Sequence, residues 1–161
     1  MLCAVPLWIV RHALAGTKDR WEPGLDRYRP LSRRGIRQAE ALLDWFDHPD
    51  RAVDAVYSSP TVRCLETVFG VAERRGLPLL LRPELGVGDP AGALRLASSQ
   101  LGTANALLCS HGEVIPGLLQ ALELDVADGP LDRCAKGALW TVEVVGGRRR
   151  GTYLEPGRPS A

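Results

Sequence analysis

Short apolar runs alternate with longer amphipathic stretches along the 161 residues of this chain. The apolar runs have the length of buried strands, and the amphipathic stretches repeat their apolar positions at helical spacing. The predicted strands cover residues 7–10, 55–57, 79–81, 106–109, 138–145 and 152–154. The predicted helices cover residues 32–46, 59–75, 89–100 and 114–122. This order predicts one α/β domain over residues 1–161, a three-layer α/β/α fold with a mostly parallel sheet and an antiparallel hairpin at its edge.

Capping residues mark where the predicted helices begin. Ser32 is placed to cap the first helix, and Ser59-Pro60 and Asp89-Pro90 both have the cap-then-proline order of a helix start. The polar stretch 13–30 is predicted to be a loop. The first helix is expected to bury one apolar face, made of Ile36, Ala39, Leu42, Leu43 and Phe46.

Composition indicates an ordinary globular domain, with 45% hydrophobic residues, 24% charged residues and a net charge of +1. So small a net charge does not attract nucleic acid or anionic membranes, so any affinity for an anion must come from a local arginine cluster. The apolar residues 1–10 lack a basic leader and are too short to span a membrane. Cys3, Cys64, Cys109 and Cys134 have no C-x-x-C spacing, which favours reduced thiols in a cytoplasmic protein.

Three polar clusters follow predicted strands. Arg11-His12 follows the first strand, residues 58–63 follow the second, and Ser110-His111-Gly112 follows the fourth. Ligands of open α/β sheets bind beyond the carboxyl ends of the strands, so the three clusters are expected to meet. Each cluster alone has an ordinary structural explanation, a satisfied histidine or a solvated arginine. Their shared position favours a functional site.

The chemistry of this set favours phosphoryl transfer. Arg63 lies in a predicted first helical turn, where its charge opposes the helix dipole unless an anion binds there. A neutral imidazole is a good nucleophile towards phosphorus, and neighbouring arginines are expected to keep it neutral. His12 is therefore the candidate nucleophile. Arg11, Arg63 and His111 would stabilise the charge on the phosphoryl oxygens, and a further group would protonate the leaving group.

Four motifs in chain order carry a family resemblance. They are LWIVRH at 7–12, RPLS at 29–32 with Gly35 and Gln38-Ala39, YSSP at 57–60 with Arg63 and Thr67, and SHGE at 110–113. Together they resemble the histidine phosphatase superfamily, in particular its short SixA-type branch, over nearly the whole chain.

The resemblance implies a phosphoglycerate mutase-like fold and a phosphohistidine intermediate on His12. It also implies that Arg11, Arg63 and His111 form the phosphate pocket, that Arg29 reaches the phosphate, and that no metal or organic cofactor takes part. Ala13 stands where many members have glycine, and no asparagine follows in residues 13–18, which disfavours a mutase. Glu84 occupies the place of the acid in larger members, with Asp89, or no carboxylic acid at all, as alternatives.

Two substrate classes fit the sequence. Lys18-Asp19-Arg20-Trp21 and the run 136–140 resemble the phosphatase domain that follows a Nudix domain in some actinobacterial MutT-type proteins, which implies nucleoside diphosphates or polyphosphates. Trp21 could stack on a base while Lys18 and Arg20 meet a second phosphate, although a solvated charged loop explains them equally well. A phosphohistidine on a partner protein is the alternative substrate.

Non-enzymatic functions are less favoured. The basic run 146–151 could contact nucleic acid, but an exposed hairpin turn that protects an edge strand explains it better. A non-catalytic phosphate-binding module is disfavoured because both histidines are present.

Overall fold

One seven-stranded sheet organises the fold. A computed structural model describes residues 4–157, so Cys3 lies outside the described residues. The sheet order is β3-β2-β4-β1-β6-β7-β5. The strands are β1 (Leu7–Arg11), β2 (Ala55–Ser58), β3 (Leu79–Leu81), β4 (Ala106–Ser110), β5 (Asp125–Val126), β6 (Leu139–Val145) and β7 (Arg148–Leu154). The helices are α1 (Arg33–Phe46), α2 (Val62–Arg74), α3 (Pro90–Gln100) and α4 (Ile115–Ala121). None of these helices is long and apolar enough to cross a membrane.

Helices cover both faces of the sheet, which confirms the predicted three-layer arrangement. Leu7 and Ile9 of β1 pack in a core with residues of α3 and α4. Trp8 and Val10 point the other way, into a second core with residues of α1 and α2. Successive side chains of a strand face opposite sides, so β1 contributes to both cores.

The sheet is mostly parallel, as predicted, but its C-terminal edge differs from the prediction. β6 pairs antiparallel with both β1 and β7, so β7 runs in the same direction as β1. The two-residue strand β5 then pairs parallel with β7 and forms the edge. The basic residues 148–150 lie in β7 rather than in an exposed turn, and only Gly146 and Gly147 turn the chain, both at positive φ.

Two of the three predicted helix caps are confirmed. The Ser32 hydroxyl accepts a hydrogen bond from the Gly35 amide (3.1 Å), and the Asp89 carboxylate accepts one from Gly92 (2.8 Å). The cap predicted at Ser59-Pro60 is wrong, because α2 begins after Thr61. Ser59 instead hydrogen-bonds to His111, which leaves its hydroxyl unavailable as a cap. Ile36 is 49% exposed, so it does not belong to the buried face of α1.

The segment predicted as a loop, residues 13–30, contains two short 3-10 helices, Lys18–Arg20 and Pro23–Tyr28. A bridge between Ala15 and Leu31 closes it at its base. We call residues 16–31 the 16–31 loop. Gly35 lets α1 approach this base, because a Cβ added there would lie 1.9 Å from the Leu14 carbonyl oxygen.

Candidate active site

The registers of β1, β2 and β4 bring the predicted clusters together. Arg11 lies opposite Ser110, and Ser58 lies opposite Cys109. The pairing continues past the strands, because the His12 amide donates to the Ser110 carbonyl at 3.0 Å. The three strands therefore end level with one another, with the rings of His12 and His111 5.4 Å apart. We call Arg11, His12, Ser59, Arg63 and His111 the strand-end cluster.

His12 is buried and oriented by the backbone. Its side chain is 5% exposed, and Nδ1 donates a hydrogen bond to the Ala13 carbonyl oxygen at 2.8 Å. Because Nδ1 carries the proton, Nε2 keeps its lone pair. Burial lowers the pKa of His12 from 6.5 to about 4, and the positive charge of Arg63 acts in the same direction. The imidazole is thus neutral at pH 7, chiefly because it is desolvated and only secondarily because of Arg63, one of the arginines that the sequence suggested.

His111 has different partners. Its Nε2 shares a hydrogen bond with the Ser59 hydroxyl at 2.8 Å and lies 3.6 Å from the Cys64 sulfur. Ser59 follows β2 and Cys64 belongs to α2, so two elements fix this ring. The contact with Cys64 is not foreseen from the sequence, since no local pattern connects residues 47 positions apart.

Arg11 and Arg63 carry buried donors that lack partners. The Nε atoms of both guanidinium groups are buried without a hydrogen-bond partner in the described part of the chain. Nη1 of Arg11 donates to the Cys134 carbonyl (2.6 Å), and Nη1 of Arg63 donates to the Asp26 carbonyl (3.0 Å). Gly112 makes room for Arg11, because a Cβ there would lie 2.6 Å from its Cζ. Buried donors of this kind are suited to an anion.

Asp26 joins Arg29 to Arg63. Its carboxylate accepts from Nε of Arg29 at 2.8 Å and lies 3.3 Å from Nη1 of Arg63. The hydrogen bond from Arg29 is the largest cause that lowers the pKa of Asp26. Arg29 also donates to the Gly16 carbonyl (2.8 Å). Asp26 is not foreseen from the sequence, where its position three residues before Arg29 is the one local signal for the pair.

Further motif residues hold the backbone beside His12. The Thr67 hydroxyl accepts from the Ala13 amide (2.9 Å), and the Gln38 side chain accepts from the Leu14 amide (2.8 Å). Glu66 accepts from the Leu31 amide (2.7 Å). These contacts explain why Thr67 and Gln38 belong to the pattern, since each fixes the chain that leaves β1.

The predicted nucleotide contacts lie on the 16–31 loop. Lys18 and Arg20 are exposed, and Trp21 is half-buried. Lys18 is near enough to Asp26 to contribute to the lowering of its pKa. Their role in substrate binding stays a prediction.

Three carboxylates have pKa values below their usual range. Hydrogen bonds from Arg82 lower the pKa of Glu84, with Nε at 2.8 Å from the carboxylate. The pKa of Glu113 is lowered by its own backbone amide and by the charges of His111 and Arg11. Asp26 is the third. The acid role of Glu84 stays a prediction, and its pairing with Arg82 works against that role. Asp89 caps α3, which confirms the cap predicted for it. Its alternative role as the acid stays a prediction.

The described residues contain no group of three or more His, Cys, Asp or Glu side chains that could hold a metal ion.

The sequence model of the histidine phosphatase superfamily (branch 1) matches residues 7–86. This chain belongs to that superfamily. The predicted family resemblance is thereby confirmed, and the matched segment contains the motifs around His12, Arg29 and Arg63.

Individual relatives agree with this assignment. The 8-oxo-(d)GTP phosphatase of Mycolicibacterium smegmatis is 31% identical over 155 residues, which cover 92% of this chain and 47% of that protein. The chain thus spans about half the length of this curated relative.

Solved structures with low sequence identity share the fold. The protein histidine phosphatase SixA, complexed with tungstate, superposes with a TM-score of 0.69 at 22% identity, covering 94% of this chain and 97% of SixA. The α-ribazole phosphatase of Shigella flexneri gives a TM-score of 0.71 at 19% identity, with 97% and 98% covered. These similarities confirm the phosphoglycerate mutase-like fold predicted for this histidine phosphatase superfamily member.

Proposed function

We propose that this protein is a metal-independent phosphohydrolase that transfers a phosphoryl group from a nucleoside diphosphate, a nucleoside polyphosphate or another small phosphoester to His12. The observation that carries the proposal is the state of His12: buried, neutral, with Nδ1 bonded to the Ala13 carbonyl and Nε2 left with its lone pair. A ring fixed in this way needs no proton transfer before it attacks phosphorus.

The reaction has two steps. Nε2 of His12 forms a bond to the terminal phosphorus while the bond from that phosphorus to the leaving oxygen breaks, and the leaving group keeps the electron pair. Water then attacks the phosphohistidine, releasing inorganic phosphate and restoring the lone pair on Nε2. The guanidinium groups of Arg11 and Arg63, whose Nε atoms lack partners in the described residues, are the proposed donors to the phosphoryl oxygens, on which charge is spread in the transition state.

The ionised carboxylates favour substrates with good leaving groups. The pKa values of Asp26, Glu84 and Glu113 are all lowered, so none of these groups is protonated at neutral pH. A nucleoside monophosphate leaving from a diphosphate has low basicity and depends little on an acid. The name of the mycobacterial relative, 8-oxo-(d)GTP phosphatase, also supports a nucleotide substrate. Lys18, Arg20 and Trp21 are the proposed contacts to the rest of that nucleotide.

A protein-bound phosphohistidine is the second candidate, and the same observation favours it. Its leaving group is an imidazole, which likewise does not need a protonated carboxylate. A panel of a nucleoside diphosphate, a phosphohistidine peptide, a sugar phosphate and an aryl phosphate separates the candidates by kcat/KM. Higher values for the sugar phosphate than for the first two substrates would contradict the leaving-group argument.

Trapping the intermediate tests the proposal. The enzyme is quenched during turnover without acid, and mass spectrometry should find one phosphate on His12. His12→Asn should lose turnover and the modification, while His48→Asn, a change at an exposed histidine, should keep both. Normal turnover in His12→Asn would overturn the proposal. So would activity that EDTA abolishes and Mg²⁺ restores, measured on an aryl phosphate that itself needs no metal.

A further inference from the structure

A cavity of about 520 Å³ lies beside the chain segment that leaves β1 after His12. Its walls include Leu14, two residues after His12, together with Arg34 and Gln38 of α1 and the turn that contains Lys136. The 16–31 loop contributes none of its described lining residues. The cavity therefore lies apart from Lys18, Arg20 and Trp21, the residues predicted to contact a nucleotide. It offers space for a different part of a substrate.

The turn that carries Lys136 is fixed to the end of β1. The Gly137 amide donates to the carbonyl oxygens of Arg11 (3.1 Å) and His12 (3.3 Å). Gln38 joins the other wall, because it donates to the Lys136 carbonyl (3.1 Å) and accepts from the Leu14 amide (2.8 Å). Gly137 has a φ of 78°, a conformation that favours glycine. The backbone at Lys136 is thus anchored to the backbone of His12 and Leu14.

Two cations line the cavity. Burial lowers the pKa of Lys136, and the charges of Arg11, Arg29 and Arg63 lower it further. Arg34 adds a second cation to the lining. Glu155 is the carboxylate of the lining, and it accepts a hydrogen bond from the Tyr153 hydroxyl at 3.0 Å. The charges of the three guanidinium groups disfavour the charged ammonium and the carboxylate of Glu113 favours it, and a bound anion would offset the repulsion among the cations.

We propose that this cavity binds the second phosphate of a phosphoanhydride substrate through Lys136 and Arg34, while the strand-end cluster holds the phosphate that is transferred. The inference rests on the proposed function and narrows its substrate class. Nucleoside diphosphates and polyphosphates have a charged leaving group that would use both cations, whereas a monoester of an uncharged alcohol would not. Lys136 is accordingly a specificity-determining residue.

The test compares ADP with p-nitrophenyl phosphate in the full chain. Lys136→Gln should lower the ratio of kcat/KM for ADP to that for the aryl ester by about 10- to 100-fold, the range for losing a hydrogen bond to a charged group. Arg34→Gln should lower the ratio in the same direction but less, because Arg34 is exposed. Lys136→Arg should restore most of it. The matched control is Arg37→Gln, an exposed arginine of α1 outside the cavity lining, which should leave the ratio unchanged.

Two outcomes would overturn the inference. Equal losses on both substrates in Lys136→Gln would place Lys136 with the transferred phosphate. A selective loss for ADP in Lys18→Gln with Arg20→Gln, but not in Lys136→Gln, would place the second phosphate on the 16–31 loop. Failure of the proposed function has a different signature, because His12 would then remain unmodified during turnover of either substrate.

Discussion

The strand-end cluster and the 16–31 loop both carry polar side chains that we propose for one substrate site, but the fold holds them very differently. His12 and His111 are 5% and 3% exposed and follow strands whose register fixes their positions. Lys18 and Arg20 are exposed on a single turn of 3-10 helix. Bond-breaking requires fixed atoms in a dry environment, whereas recognition of the rest of the substrate tolerates variation. Changes in the cluster should therefore affect every substrate, and changes in the loop should affect selected ones.

Asp26 is where the two regions meet. It belongs to the 16–31 loop, yet its carboxylate pairs with Arg29 and lies 3.3 Å from Arg63 of α2. A phosphate bound at Arg63 would lie close to this negative charge. We therefore expect the position of Asp26 to affect how strongly the cluster binds an anion.

The largest expected effect is that of Arg63→Lys. Lysine keeps the charge but cannot supply the planar fork of donors, so kcat should fall about 10²- to 10³-fold on nucleoside diphosphate and aryl phosphate alike. The control is Arg74→Lys on the same helix, where the side chain is exposed and pairs with Asp47. Near-normal kcat in Arg63→Lys would show that Arg63 provides only long-range charge.

The second prediction concerns pH and stability. The pKa of His12 is lowered to about 4 in the folded protein, against 6.5 for the ordinary imidazole. As the pH falls through this window, the unfolded chain takes up a proton that the folded chain does not, so folding becomes less favourable. Between pH 7.5 and 4.5 the wild type should lose about 2–3 kcal/mol more unfolding free energy than His12→Asn.

Urea unfolding at the two pH values measures this difference. His48→Asn is the control, since His48 is exposed, and it should retain the pH dependence of the wild type. The same pH dependence of the unfolding free energy in wild type and His12→Asn would mean that His12 is not desolvated in the fold.

The third prediction tests the junction between the cluster and the loop. Gly35→Ala places a methyl group where the Leu14 carbonyl oxygen lies, at 1.9 Å, so either α1 or the chain after β1 must move. We expect a loss of about 1–3 kcal/mol in unfolding free energy, as for overpacked cores. Gly117→Ala in α4 is the control, because its added Cβ meets nothing within 4 Å. That change should be neutral or stabilising, and a similar loss in both variants would contradict the steric argument.

The sequence predicted the strand-end cluster better than its surroundings. Arg11, His12 and His111 follow strands with clear apolar patterns, and the topology of a parallel sheet brings such ends together. Ser32 and Asp89 were predictable as caps because a cap bonds within one helical turn. These features depend on interactions between near neighbours or on the general geometry of sheets.

What the sequence did not predict depends on contacts between distant residues. Asp26 meets Arg63 across 37 positions, so its pairing leaves no local pattern. Ser59 was predicted as a cap because its position beside Pro60 is typical of one, but His111 takes its hydroxyl. β5 has two residues and no alternation of its own, and it forms only because β7 offers a free edge. Residues 148–150 at the start of β7 are charged and lack the apolar pattern of a strand, so the predicted strand was too short.

The smallest expected effect is that of Glu84→Gln. Glu84 follows β3, which runs parallel to β2. The carbonyl oxygen of its neighbour Leu85 accepts a hydrogen bond from Ser110 (2.6 Å). A general acid must be protonated when the leaving group departs, but the hydrogen bonds from Arg82 lower the pKa of Glu84. Removing its charge should therefore change kcat by less than about threefold for a sugar phosphate and for an aryl phosphate, well below the usual scale of acid catalysis.

The two esters make this outcome informative, because only the sugar phosphate has a leaving group basic enough to need a proton. A loss of about 10²- to 10⁴-fold on the sugar phosphate alone would identify Glu84 as the acid after all. Substrate binding would then have to break the Arg82 pair and raise the pKa of the carboxyl group. Arg82→Gln distinguishes the two cases. If Glu84 is the acid, freeing it from Arg82 should speed turnover of the sugar phosphate. If Glu84 only pairs with Arg82, the double variant Arg82→Gln with Glu84→Gln should behave like either single variant on both esters.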